Sequence, residues 1–118
     1  MSKGKNIALW VLSILLAALF IFSASPKLLT PDKVGPMFVH YGYAAWFATF
    51  IGCCEVLGAI GLLVPRVAGL AAACLSIIMV GAAYTHFSHQ EYGHGCIPVV
   101  LFVLLVWISY TRFHERRT

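Results

Sequence analysis

Charge is what this sequence has least of: eight Lys and Arg and four Asp and Glu are spread over 118 residues that are 61% hydrophobic. A soluble domain of this size has a large surface for its volume, and so few ionic side chains cannot cover it. With a mean hydropathy of +0.90, lipid is the expected solvent and one domain the expected count. Cofactor motifs are missing as well. No nucleotide, flavin or iron-sulfur signature occurs, which leaves difficult redox chemistry to a partner. The four cysteines, Cys53, Cys54, Cys74 and Cys96, show no CxxC spacing. Three fall within apolar runs, so buried small hydrophobes are expected rather than a disulfide framework. The basic residues stand singly or at chain ends, with no stripe or motif for nucleic acid. Internal repeats and low-complexity tracts are absent.

What is there in quantity is apolar sequence of spanning length. About 20 apolar residues cross a hydrocarbon core, and four segments approach that: Asn6 to Ser25, Tyr43 to Val64, Val67 to Phe87 and Ile97 to Arg112. Lys3, Lys5 and Ser23-Ala24-Ser25 give the first segment a loose likeness to a signal peptide, but its run exceeds the usual signal length and a retained helix is expected. Pro26, Pro31 and Pro36 predict an irregular loop from Pro26 to Gly42. Pro65-Arg66 predicts a tight turn joining antiparallel neighbours, and Gly93-His94-Gly95 a break before the last helix. The fold class is all-α, an integral membrane four-helix bundle with antiparallel up-down connectivity.

Small residues along the third span, Gly69, Ala72, Ala73, Ser76 and Ala83, form one stripe that is expected to touch the second, where Gly52, Gly58 and Gly61 allow close approach. Lys3, Lys5, Arg66, Arg112, Arg116 and Arg117 fall on one side against Lys27 and Lys33 on the other. By the positive-inside rule both termini are then cytoplasmic, in an inner or plasma membrane. Topology brings His40, His89, Glu91 and His94 together on the other face.

Glu55 is the most informative residue, about 12 residues into its span and near the midplane. A carboxylate there costs about 2.5 kcal/mol or more, so it must be protonated, paired or turned into the bundle. It is either a proton-binding or ligand-binding group or a hydrogen bond between helices. Lys27 has a stem long enough to turn inward to Glu55 or outward to the headgroups, and taken alone the outward course is expected. An inward pair would bind a proton or a carbonyl, as of a quinone. His86 ends the small-residue stripe and is expected to face the interior. With His89, His94 and Cys96 it makes a run of metal-capable side chains, but their spacing matches no standard zinc signature and no metal is assigned.

Ser25-Pro26-Lys27-Leu28, then Gly52 with Glu55-Val56-Leu57-Gly58-Ala59-Ile60-Gly61-Leu62-Leu63, then Ala82-Ala83-Tyr84-Thr85-His86 together resemble the DoxX-like family of small four-helix membrane proteins. The ordered trio Lys27, Glu55 and His86 is the most specific element. Where relatives carry a glycine shortly before the lysine, this chain has Phe22-Ser23-Ala24-Ser25-Pro26. The resemblance implies a membrane protein working with others: some relatives are named as subunits of a thiosulfate:quinone oxidoreductase, others belong to oxidative-stress complexes or assist membrane-protein assembly. The expected function is a quinone-linked or redox-partner subunit with its polar site at Glu55. The alternative is a non-enzymatic assembly or interaction protein with a structural trio. Besides the lipid bilayer, a protein partner or a second copy is expected and nucleic acid is not. A proton-coupled channel ranks last, since only Ser13, Thr49, Glu55 and Ser76 offer a polar path.

Overall fold

The computed structural model describes residues 2–117 and, within them, all side chains except Tyr92, His94, Glu115, Arg116 and Arg117. Five helices make up the described chain: α1 (Lys3–Leu29), α2 (Pro31–His40), α3 (Trp46–Leu62), α4 (Ala68–Ser88) and α5 (Tyr92–Arg117). Among them α1, α4 and α5 are long and apolar enough to cross a membrane, whereas α3 is apolar but shorter. At about 1.5 Å per residue α3 is about 25 Å long, near the lower limit for a span. Pro65 lies just past its end, and Leu63 and Val64 are spent on the turn.

Two helix ends differ from the expectation that proline and glycine break helices. Helix α1 runs past Pro26 to Leu29. A proline in the last turns forfeits a single backbone bond, and the turn is held because the Thr30 N–H and hydroxyl both donate to the Pro26 carbonyl at 2.9 Å. The stretch expected to be irregular contains α2. Its Pro31 stands at the first helical position, where a missing N–H costs nothing, with Asp32 in the first turn. The last helix starts at Tyr92 rather than Ile97, because the reversal falls at Gln90, with φ 60°. Gly95 is a packing glycine: a Cβ there would stand 2.9 Å from Phe87 Cε1 on α4.

Close approach also sets the register of the central helices. A Cβ on Gly58 would meet Leu75 at 2.6 Å and one on Gly61 would meet Ala71 at 2.7 Å, so α3 and α4 run antiparallel. Gly69 lies under the Phe113 ring and its carbonyl accepts from Ser109 Oγ at 2.9 Å. It therefore packs on α5, which corrects the expectation that the whole small-residue stripe faces the second span. The core joins Leu9 and Phe20 of α1, Leu62 of α3, Leu75 of α4 and Ile108 of α5. Leu15, Phe22, Leu57 and Ile77 point outward, as they do in a protein whose solvent is lipid. Cys53, Cys74 and Cys96 are exposed on this surface rather than buried. The start of α1, the end of α5 and the α3–α4 turn lie at one end, here the terminal end, and α2 with the α4–α5 turn at the other, the loop end.

Candidate functional site

The extra turn of α1 beyond Pro26 carries Lys27 on the face that packs against α3. Gly52 permits this, since a Cβ there would stand 3.0 Å from Lys27 Cβ and 3.2 Å from Leu28 Cγ. One turn along, the Lys27 ammonium donates to Glu55 Oε1 at 2.7 Å. Glu55 is 2% exposed and Lys27 17%. The ammonium also donates to Ser23 Oγ at 3.0 Å, one turn back on its own helix. The outward course expected of Lys27 is thus corrected. Leaving a carboxylate unpaired in an apolar bundle costs more than turning the lysine stem inward, and the ammonium, held also by Ser23, offsets that cost.

His86 is placed elsewhere. Continuing the antiparallel register set by Gly58 and Gly61 brings Glu55 level with Ile78, and eight residues of helix at about 1.5 Å each put His86 about 12 Å nearer the loop end. There its Nδ1 lies 2.7 Å from Glu91 Oε1. An ionised carboxylate only accepts, so Nδ1 carries the shared proton. Tyr41, from the end of α2, donates its hydroxyl to the same oxygen at 2.7 Å. Its ring stands edge-on to His86 and His89, with centroids 5.7 and 4.9 Å away. His89 Nδ1 is bonded to the Thr85 carbonyl at 2.9 Å, and the His40 ring is 6.0 Å from that of His89. The trio is therefore divided between a buried pair and a second polar group at the loop end.

The Glu91 carboxylate raises the Tyr41 phenol above its usual value of 10.0, first by accepting its hydrogen bond, then with help from burial and charge. A raised value in the folded state means that this contact contributes its full stability below about pH 10 and loses it as pH rises through the higher value. The difference in tyrosinate absorbance between wild type and Tyr41→Phe will show one phenol titrating later than a free tyrosine.

The weak metal candidates do not converge among the described residues. Among the described residues no three His, Cys, Asp or Glu side chains form a metal-holding set. His86 and His89 are engaged as above, Cys96 is exposed, and the His94 side chain lies outside the described ones. The polar path of a channel is not assembled either. Ser13 Oγ and Ser76 Oγ donate to carbonyls of their own helices, those of Leu9 and Ala73, and Thr49 is exposed.

Comparison with known families matches residues 11–108 to the DoxX-like family. The chain belongs to that family. No curated protein and no solved structure matches it. The match and the three long apolar helices make this DoxX-like chain an integral membrane protein in contact with the bilayer. The matched stretch contains Lys27, Glu55 and His86 and stops short of Arg112. In the part of this DoxX-like protein before the lysine, Ser23 supplies a partner for the ammonium. That role was readable from its spacing, since residues four apart share a helix face. Tyr41 and Glu91 carried no comparable signal, because their meeting depends on how α2 and the α4–α5 turn fold over the loop end.

Proposed function

We propose that this protein is a redox-partner subunit of a quinone-linked membrane system, with α1, α3, α4 and α5 crossing the bilayer as an up-down four-helix bundle and both termini cytoplasmic. The single observation that carries this reading is the Lys27–Glu55 pair: a lysine side chain left 17% exposed beside a carboxylate side chain that is 2% exposed. A quinone oxygen only accepts hydrogen bonds, and Lys27 is a donor at a depth such a head group reaches from lipid; the donor chemistry fits. A bound quinone would supply two-electron, two-proton chemistry, with the electrons delivered by a partner protein. Lys27 would orient the carbonyl. Glu55 would hold a proton for it through the ammonium, and Ser23 keeps Lys27 in place when the carboxylate is neutral.

The second reading, an assembly protein with a structural pair, is favoured by the direct 2.7 Å bond, which leaves Lys27 and Glu55 satisfying each other. The open recess at the loop end, about 290 Å³ lined by Pro36, Met37, His40 and Tyr41, also lies away from the pair. The two readings part in one experiment. The protein purified in mild detergent is expected to retain a lipophilic quinone detectable by mass spectrometry and to lose it in Glu55→Gln. Phospholipid alone in both samples, with the same partner protein retained, sinks the quinone reading. In complementation, Glu55→Gln is expected to lose function that His89→Ala and His94→Ala keep.

A further inference from the structure

At the terminal end, α5 turns a cation inward. Arg112 follows Leu105 and Ile108 at helical spacing on the buried face of α5, and it is only 8% exposed. Its guanidinium centre stands 5.0 Å from the centroid of the Trp10 ring on α1. An aromatic face attracts the charge but accepts no in-plane hydrogen bond. Nε and Nη2 are buried without an acceptor among the described residues. These two nitrogens form the edge with which arginine grips a carboxylate or phosphate through two parallel bonds. Buried donors with no acceptor are costly, and those of a cation more so. Something anionic belongs there.

Position narrows the class. Arg112 lies in the last turns of the apolar stretch Gly95–His114, at the depth where hydrocarbon gives way to headgroups. Lys3, Lys5 and Arg66 are exposed at the same end, and basic residues beside a membrane surface attract its anionic lipids. We infer that Arg112 is a phosphate-binding residue: Nε and Nη2 take two oxygens of one phosphate, with Trp10 against the guanidinium face. That phosphate has two sources, the headgroup of an anionic phospholipid or a dissolved anion. Both nitrogens are covered in this structure, so binding includes a local shift of the side chains over them.

The site is separate from the Lys27–Glu55 pair, and its test does not depend on the role of that pair. Native mass spectrometry of the full chain in neutral detergent, titrated with phosphatidylglycerol, is expected to show one tightly held lipid. Arg112→Met should weaken that adduct at least tenfold. Arg112→Lys, which keeps the charge but not the paired edge, should weaken it to a lesser degree, and Lys33→Met, an exposed lysine of α2 at the opposite end, should leave it within about twofold, as distant screened charge does. Diacylglycerol, which lacks the phosphate, should form no such adduct. Inorganic phosphate bound with the same dependence on Arg112, without a lipid adduct, supports the site and assigns it to a dissolved anion. The inference is overturned if Arg112→Met holds phosphatidylglycerol as tightly as wild type, or if wild type holds neither lipid nor phosphate. Methionine matches the arginine stem in an apolar setting, and exchanging a buried charge for a hydrophobe is often neutral for folding. Should Arg112→Met nevertheless misfold, the lysine variant carries the test, and lipid affinity in it equal to wild type overturns the inference.

Discussion

Replacing Lys27 by methionine lowers stability by about 3–5 kcal/mol, the usual consequence of removing one partner from a buried ion pair, and adding Glu55→Gln to that variant restores most of the loss. The reason is the asymmetry of the pair. Glu55 is 2% exposed and takes the Lys27 ammonium at 2.7 Å, so without Lys27 its charge has lost that partner in a medium of low dielectric. Glutamine in its place carries no charge to strand, so Glu55→Gln alone is expected to cost less than Lys27→Met: the ammonium keeps Ser23 Oγ at 3.0 Å and the lysine side chain is less deeply enclosed than that of Glu55. Denaturant titration of the four proteins in one detergent gives the coupling energy directly. A coupling near zero means that the two side chains contribute independently, and the site proposed around them then fails.

Gly58→Ala is the second large effect. Its new methyl would stand 2.6 Å from both Cγ and Cδ2 of Leu75 and 2.9 Å from Cδ1. Leu75 is fully buried, so its isopropyl group has no free space to turn into and α3 must move away from α4. Overpacking of this kind costs about 1–3 kcal/mol, and with no hydrophobic force between helices in lipid little else restores the contact. Gly81→Ala is the control: nothing lies within 4 Å of its Cβ position. Removing a glycine from a helix interior there should stabilise by up to about 1 kcal/mol. Leu75→Ala introduced with Gly58→Ala should recover part of the loss. Equal melting temperatures for Gly58→Ala and Gly81→Ala would show that α3 and α4 do not pack at this register.

Glu55 shows how far energetics alone reaches. Its place in an apolar run demands a partner or a proton whatever the fold, because the cost of a bare carboxylate in lipid does not depend on tertiary detail. Its partner was not legible. A lysine stem reaches several ångströms in either direction, and the choice turned on whether α1 continued past Pro26. His86 illustrates a different gap: helix order says that three residues sit on successive helices but not at which depth, and the register of α3 against α4 separates His86 from the pair. The prolines of α2 and Gly95 misled for one reason. The effect of each depends on its position more than on the bond it removes: Pro31 stands at a helix start and Gly95 under the Phe87 ring.

Composition and the lengths of apolar runs determined by themselves that this is an all-helical membrane protein, since lipid leaves backbone polar groups no partner but one another and runs of about 20 apolar residues lack the alternation of a barrel strand. The local motifs were enough for the resemblance to the DoxX-like family. Only the tertiary structure decided that Lys27 turns inward, that Tyr41 and His86 meet on Glu91, and that Arg112 is buried against Trp10 instead of flanking a span in water. Each of these depends on the rotation and axial offset of one helix against another. Those offsets come from close contacts at a few small residues, Gly52, Gly58 and Gly69 among them, whose neighbours lie far away in sequence.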